Sequence, residues 1–390
     1  MILKLPTAWL QLKYEKVRLL VAIAGISFAV VLMFMQLGFR AALFDSAVQL
    51  HTSLQGEFFL ISPRSTALIA MTSFSERRLS QALAFKEVAF VAPIYLGFAQ
   101  WKNPQNPSYW RNIHVIGFDI RYSIFNLLGV QKNIDKLQLP DVVLFDEASR
   151  PEFGAIASEL KEKGTITTEI DNLGTGIRQI TVGGLFKLGT SFGVDGNLVT
   201  SHLNFLRIFT QRTPGHIELG LIKLVPGTHI NSIKKKLREY LPSDVKVLSK
   251  QELIYFEKRY WMTSTAIGYI FDLGVAMGLI VGIVFVYQIL YTNVCDHLAE
   301  YATLKAMGYM HTYLLSVVFQ QAIILAILGY IPGFILSSVV YKLAKNATLL
   351  PIAMQSTRAF FVLILTGFMC FISGVLAVHK LKAVDPSEIF

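Results

Sequence analysis

Four long stretches without a charged residue divide this chain, one near its start and three in its last third. They cover residues 19–39, about 273–295, about 312–341 and 359–378. As a helix, each is long enough to cross the ~30 Å hydrocarbon core of a bilayer. The residues between the first and second stretches have an ordinary globular composition. The pattern therefore predicts a folded domain inserted into a small set of membrane helices.

The composition agrees with a membrane protein. Hydrophobic residues make up 53% of the chain and charged residues only 16%, which is too few charges for an ordinary soluble surface. The first apolar stretch is longer than the core of about 7–15 residues in a cleaved signal peptide, and no A-x-A site follows Phe39. We therefore expect it to remain in the protein as an anchor.

Basic residues around the first stretch predict its orientation. Those before it are Lys4, Lys13, Lys16 and Arg18, and only Arg40 follows directly. Because positive charge favours the cytoplasmic side, we expect the N-terminus inside and the insert outside. The later loops disagree, since Lys342, Lys345 and Arg358 fall in the loop that this orientation places outside.

The sequence thus predicts a membrane α-helical protein with four transmembrane helices, one before and three after a large external α+β domain. The predicted segments are a cytoplasmic amphipathic lead-in (1–18), the first span (19–43), the external domain (44–262), the second span (263–295), a cytoplasmic element (296–312), the third span (313–341), a short external loop (342–357), the fourth span (358–379) and a cytoplasmic tail (380–390).

The insert is expected to mix strands with fewer helices. Predicted strands cover 57–61, 88–100, 112–119, 141–145, 164–170, 177–188, 217–225 and 245–248. The strand at 217–225, a helix at 231–241 and the strand at 245–248 should form a βαβ unit. Ser249 and Glu252 form a capping box for a helix over 250–262. We expect this helix to continue unbroken into the second span, the alternative being a flexible joint.

The net charge of +10 does not indicate nucleic-acid binding. Residues 44–264 hold 25 Lys and Arg against 20 Asp and Glu, an excess of only +5, and carry no motif of a nucleic-acid module. Cys295 and Cys370 lie at or within predicted spans, so the insert is expected to fold without a disulfide.

The motifs of several enzyme classes are missing from the sequence. It has no G-x-x-x-x-G-K-[ST] phosphate loop, no H-E-x-x-H or C-x-x-C spacing and no G-x-S-x-G elbow. Gly183 and Gly184 are better interpreted as a bulge in a strand. His114, between two β-branched residues, is expected in a core or on a polar face rather than in a catalytic site. We therefore predict no catalytic residue, cofactor or metal site on this chain.

Two motifs flank the last two apolar stretches. Residues 300–308 read E-Y-A-T-L-K-A-M-G, and residues 385–388 read D-P-S-E. With the one-plus-three layout, the E-x-A-x-L-K-A-M-G pattern and the terminal D-P-S-E resemble the permease subunits of the MacB/FtsX/LolC type of ABC transporter. The resemblance covers essentially the whole chain, and it implies that the external domain is periplasmic.

Within that family the insert looks closest to the DevC permeases of cyanobacteria. The shared runs are P-D-V-V-L-F-D-E-A-S-R at 140–150, V-G-G-L-F-K-L-G at 182–189 and D-G-N-L-V at 195–199. One departure is the start of the inner loop, where Asp296, His297 and Glu300 stand in place of the Arg runs of some relatives. This departure concerns the surface that would match an ATPase partner.

The resemblance implies that 296–312 is a coupling element, a short helix through which a soluble ATPase moves the spans. Its expected coupling residues are Glu300, Leu304, Lys305, Ala306, Met307 and Gly308. The residues of the C-terminal motif are Asp385, Pro386 and Glu388. Without the family pattern, an ordinary helical hairpin would be the simpler interpretation of 296–312.

Small and polar residues of the spans give further expectations. Gly274, Gly278 and Gly282 recur every fourth residue, a stripe suited to helix packing, and we expect it to form the permease dimer contact. Asp272 could line a dimer interface or an external vestibule, or it could lie at the level of the lipid headgroups. Glutamines in the spans are expected to form hydrogen bonds between helices; they are Gln36, Gln288, Gln320 and Gln321.

The resemblance also implies partners and a location. It implies a homodimer in the cyanobacterial inner membrane, a separate DevA-like ATPase that binds ATP and Mg, a DevB-like membrane-fusion adaptor and a TolC-like outer-membrane duct. The cargo would be a glycolipid. The alternatives are a regulator of the FtsX/LolC kind, a lipoprotein-releasing permease, and a membrane sensor that uses no nucleotide.

Overall fold

The computed structural model describes residues 6–172, 176–297, 307 and 311–381. It divides into two compact units. The membrane unit comprises the described residues of 1–42, 266–348 and 352–390, and the insert domain comprises those of 43–265 and 349–351.

The membrane unit is helical. Its helices are a lead-in helix at Pro6–Tyr14, the first span at Lys16–Ala47 (its last residues belong to the insert domain), the second at Ala266–Asp296, the third at His311–Thr348 and the fourth at Ser356–Leu381. Each span contains a window of mean hydropathy between 2.3 and 2.5, enough to cross a membrane. This arrangement confirms the predicted one-plus-three layout of four spans.

The first span packs closely against the second and third spans at glycines. On the second span, a Cβ atom at Gly278 would lie 3.3 Å from the Met33 side chain, and one at Gly282 would lie 3.0 Å from Ala29. On the third span, a Cβ atom at Gly333 would lie 2.7 Å from Val30. Because glycine has no side chain, the helix backbones can approach to a distance that any larger residue would prevent.

The glycine stripe of the second span therefore serves packing within one chain. Gly278 and Gly282 are buried, and a Cβ atom at Gly274 would meet the side chain of Gln36 on the first span. The sequence predicted these glycines as a contact between two copies, whereas the structure gives them a partner in the same chain. The homodimer itself stays a prediction.

The insert domain is built on strands. They are β1 (Phe58–Ile61), β2 (Phe74–Ser75), β3 (Val88–Lys102), β4 (Trp110–Phe118), β5 (Val142–Asp146), β6 (Ile166–Asp171), β7 (Ile177–Phe186), β8 (Asn197–Ser201), β9 (His216–Ile217), β10 (Leu219–Leu224) and β11 (Lys246–Ser249). The α-helices lie at Gln49–Ser53, Arg77–Ala82, Leu128–Lys132, Ile156–Lys163, His202–Ile208, Ile230–Tyr240 and Lys250–Arg259. Short 3-10 helices lie at Leu68–Ala70, Ile134–Gln138 and Pro151–Phe153.

One sheet organises the domain, in the order β11-β1-β10-β3-β4-β8-β5-β7-β6. The first part of β3 pairs with β10, and its later part pairs with β4. The end of β3 also pairs with β6, through Gln100 with Asp171 and Trp101 with Ile170. The strands from β3 to β6 in this order therefore close into a ring, while β10, β1 and β11 extend the sheet beyond it.

The predicted βαβ unit is present with one addition. β1 lies between β10 and β11 and is antiparallel to both. The helix Ile230–Tyr240 connects β10 to β11 along the chain. β10 and β11 are therefore parallel but not adjacent. The predicted bulge is confirmed, because Val143 pairs with Val182 and Leu144 with Gly184, which leaves Gly183 as the extra residue.

The link to the second span differs from the prediction. The capping box of Ser249 and Glu252 is confirmed, and the helix it starts runs to Arg259. A π-helical turn follows at Tyr260–Ser264, and Thr265 has extended backbone, with φ −125° and ψ 155°. The helix therefore ends before the second span begins at Ala266, and the prediction of one unbroken helix is wrong.

Three sequence runs of the insert meet at a buried carboxylate. Asp146 accepts hydrogen bonds from the backbone N–H groups of Leu188 (3.0 Å) and Gly189 (2.9 Å) and from the side chain of Asn197 (2.9 Å). These residues come from the runs at 140–150, 182–189 and 195–199. Their shared role is structural, since a fully buried carboxylate needs such donors.

Asn197 also connects this carboxylate to His114. The Nδ1 atom of His114 lies 3.3 Å from Oδ1 of Asn197, and the ring is buried. Burial lowers the pKa of His114 to about 4, so the ring is neutral at physiological pH. Of the two positions expected for His114, a core or a polar face, the structure shows the core.

We predict that Gly278→Leu destabilises the membrane unit by about 1–3 kcal/mol, because the added side chain must displace the Met33 side chain and the first span. Gly367→Leu is the matched control, since no atom lies within 4 Å of a Cβ atom placed at that glycine. The measurement is the thermal unfolding midpoint of each variant in detergent. Equal midpoints for the two variants would contradict the packing described here.

Candidate coupling site

The predicted coupling residues are mostly outside the described part of the chain. This holds for Glu300, Leu304, Lys305, Ala306 and Gly308 and for the C-terminal motif residues Asp385, Pro386 and Glu388. Met307 is described, lies in a turn and has 64% of its surface exposed. Apart from Met307, the described part of this site therefore consists of residues on the helices that flank the segment 298–310.

Those residues lie at one end of the membrane unit. We call it the loop end; it carries the start of the first span, the end of the second and the start of the third. At the opposite end, which we call the insertion end, the chain passes into and out of residues 43–265.

An ion pair connects the first and second spans at the loop end. The guanidinium of Arg18 donates a hydrogen bond to Asp296, the last residue of the second span, and lies 2.6 Å from Glu15. Both side chains of the Arg18–Asp296 pair are partly exposed, so the pair contributes little stability. It fixes the point at which the chain leaves the second span.

A chain of amides connects three helices at the same end. Nδ2 of Asn293 donates to Oε1 of Gln321 at 3.2 Å, and Nε2 of Gln321 donates to Oε1 of Gln11 at 2.9 Å. Gln321 is fully buried and Asn293 nearly so. Since buried amides in an apolar bundle are costly unless they are paired, these bonds fix the lead-in helix and the second and third spans relative to one another.

We call Gln11, Arg18, Asn293, Asp296 and Gln321 the loop-end network. The prediction that Gln321 bonds between helices is confirmed, whereas the roles of Gln11 and Asn293 were not predicted. A polar amide in the last turns of an apolar span, as at Asn293, is the signal that could have identified this site. The network holds the helices on both sides of the predicted coupling element.

At the insertion end, Asp272 pairs with Arg40. Oδ1 of Asp272 lies 2.5 Å from Nη1 of Arg40, and 58% of the Asp272 side chain is exposed. The structure thus gives Asp272 a partner within the chain, which the sequence did not predict. The pair connects the first and second spans where the chain passes into and out of the insert domain.

Within the insert domain, the segments where the chain enters and leaves lie together. Nζ of Lys258 lies 3.1 Å from Oδ1 of Asp45, and Nε2 of His51 lies 3.9 Å from Oε2 of Glu257. Glu257 also accepts hydrogen bonds from the Leu68 backbone N–H (2.7 Å) and from the indole of Trp261 (2.9 Å). We call Asp45, His51, Leu68, Glu257, Lys258 and Trp261 the root cluster.

Burial controls ionisation in the root cluster. It raises the pKa of Glu257 to about 7, although the bonds from Leu68 and Trp261 act in the opposite direction. Burial lowers the pKa of His51 to about 4, with a further contribution from His114. Among the described residues, no group of three His, Cys, Asp or Glu side chains is arranged to hold a metal ion.

The C-terminal third of the chain is similar to a known protein family. Residues 273–386 match the FtsX-like permease C-terminal family. This FtsX-like region contains most of the second span, the third and fourth spans, the segment 300–308 and the loop-end residues Asn293, Asp296 and Gln321. It covers less than a third of the chain, and no curated protein matches the sequence.

Two solved structures share a low overall similarity with the chain. The periplasmic region of MacB from Actinobacillus actinomycetemcomitans has 11% sequence identity and a TM-score of 0.33, covering 51% of this chain and 91% of that one. The extracellular domain of the noncanonic ABC-type transporter YknZ from Gram-positive bacteria has 14% identity and a TM-score of 0.34, covering 50% of this chain and all of that one.

We predict a pH-dependent effect of Glu257→Gln on the insert domain. The native carboxyl keeps its proton up to about pH 7 but the unfolded chain releases it near pH 4.5, so this group lowers stability as the pH rises between those values. The lost stability is about 3 kcal/mol above pH 7. The unfolding midpoint of Glu257→Gln, measured against wild type by tryptophan fluorescence, should rise steadily from pH 5 to 7.5.

Glu252→Gln is the control for this pH dependence. Despite partial burial, bonds from Lys234 and Ser249 lower the pKa of Glu252 to about 2, so it is ionised in both states over the measured range. Its midpoint difference from wild type should therefore not change with pH. The same flat result for Glu257→Gln would show that Glu257 does not titrate near pH 7.

Proposed function

We propose that this chain is the permease subunit of an ATP-driven ABC-type exporter. The match of residues 273–386 to the FtsX-like permease C-terminal family carries the proposal. Four apolar spans and a large inserted domain support it, because a permease needs helices that cross the membrane.

In the proposed mechanism, an ATPase pushes on the element at 296–312. Met307 supports this role, since an exposed methionine offers an adaptable apolar surface to a groove on a partner. The loop-end network holds the second span to the third and to the lead-in helix, so a displacement of the element is passed to all three. The second span then continues to Ala266, next to the exit from the insert domain.

The partners follow from the same proposal. The permease would act as a homodimer with two copies of a separate DevA-like ATPase, which would bind ATP and Mg, leaving this chain without a cofactor. A DevB-like adaptor and a TolC-like duct would carry the cargo onward from a cyanobacterial inner membrane. For a DevC-type permease that cargo is a glycolipid, and the support for this subtype is the set of sequence runs that meet at Asp146.

The test is purification of the tagged chain from its native membrane in mild detergent, with identification of the co-purifying proteins. We predict a near-equimolar Walker-type ATPase together with an adaptor that has a long coiled coil. Met307→Asp should lose most of the ATPase, because a carboxylate would be buried without a partner in the contact. Met307→Leu, which keeps an apolar side chain of similar size, should retain it.

The other outcomes separate the alternatives. An ATPase without an adaptor would favour a regulator of the FtsX/LolC kind or a lipoprotein-releasing permease. Neither partner, in a preparation that keeps other membrane complexes intact, would favour a sensor that uses no nucleotide. Equal ATPase recovery with Met307→Asp and wild type would contradict docking at this element.

A further inference from the structure

A buried arginine stands at the start of the fourth span. Arg358 is only 9% exposed, and its Nη1 atom donates to the carbonyl of Ala353 at 2.9 Å and contacts the Tyr341 hydroxyl at 3.5 Å. The guanidinium also lies over the Tyr341 ring, 5.8 Å from its centroid. Tyr341 in turn donates a hydrogen bond to the carbonyl of Phe34 on the first span. The arginine is therefore held in a fixed position.

Arg358 has no acidic partner among the described residues. The described acids of the membrane unit are Glu15 and Asp296, which contact Arg18, and Asp272, which contacts Arg40. Within the described part of the chain, Nε and Nη2 of Arg358 also have no hydrogen-bond acceptor. A buried cation without a counter-charge is costly, so an anion from outside the chain would stabilise this arrangement.

Further positive charge lies nearby on the third span. Lys345 is one helical turn beyond Tyr341 and so shares its face, and Lys342 follows Tyr341 directly. Both lysines are exposed and make no salt bridge to any described carboxylate. These three cations are the ones that disagreed with the orientation predicted from charge.

Exposed apolar side chains lie near these cations in the sequence. Leu343, Phe360 and Phe361 are all exposed on the third and fourth spans close to Arg358 in sequence. The ends of spans lie at the level of the lipid headgroups, where charged and aromatic side chains meet phosphate. The surface therefore offers both a place for a phosphate and a surface for acyl chains.

We propose that Arg358, with Lys342 and Lys345, binds the phosphate of an anionic membrane lipid at the insertion end. The planar guanidinium matches the geometry of phosphate oxygens, and the two lysines add charge without rigid geometry. This inference requires only that the four helices cross a membrane, and does not depend on an ATPase or a cargo. It also explains why these cations do not follow the charge bias of the loops, since a bound lipid phosphate neutralises them.

The full chain is purified in mild detergent and exposed to phosphatidylglycerol or phosphatidylcholine, and native mass spectrometry then measures the lipid that it retains. Wild type should retain more phosphatidylglycerol than phosphatidylcholine. Arg358→Gln should weaken this retention by about tenfold, the loss expected for a charge-assisted hydrogen bond. Arg40→Gln is the control, because the charge of Arg40 is already paired with Asp272 at the same end.

A second variant and a competition with free phosphate complete the test. The double variant Lys342→Gln/Lys345→Gln changes only exposed residues, and should also lower retention if Arg358→Gln fails to fold. Equal retention by wild type and either variant, or an equal loss with Arg40→Gln, would overturn the proposal. Excess inorganic phosphate should displace the lipid poorly. If inorganic phosphate displaced the bound lipid as effectively as added phosphatidylglycerol does, the ligand would be the free ion, and the lipid assignment would be overturned.

Discussion

Close contact of the first span with two later spans is the interaction on which the membrane unit depends. The first span is separated from the other three by more than two hundred residues, so only packing can place it among them. Gly278 on one side and Gly333 on the other allow this packing, since a Cβ atom would lie 3.3 Å from Met33 at the first position and 2.7 Å from Val30 at the second. Ion pairs also join the first and second spans at both ends, Arg18 with Asp296 and Arg40 with Asp272, although pairs this exposed add little stability.

Two buried carboxylates of the insert domain show how environment decides what an acid does. Asp146 receives N–H donors from Leu188 and Gly189, which follow β7, and from Asn197 at the start of β8, and so joins these parts of the domain. Glu257 receives only two donors and lies beside a histidine that burial keeps neutral. Burial raises the pKa of Glu257 to about 7 despite these two bonds, so the root cluster contains a carboxyl that titrates near neutral pH.

Local patterns in the sequence predicted most elements, whereas contacts between distant residues were missed. The four spans, the capping box at Ser249, the bulge at Gly183 and the burial of His114 each follow from neighbouring residues. The pairing of β3 with β6 and the position of β1 between β10 and β11 depend on closure of the whole sheet. β8 was not predicted, although its five residues are all buried, as are those of β5, which was predicted. The break at Thr265 has no proline or glycine to mark it.

The loop-end network has a property that suits transmission of movement. Apolar contacts between membrane helices are not directional, so an apolar side chain can shift without losing a specific hydrogen-bond partner. A buried amide cannot do so without losing its partner, and Gln321 bonds to both Gln11 and Asn293. The second and third spans are therefore held in one register at the end where a partner would push. A force applied between them moves both helices before it can separate them, which is what a coupling element requires.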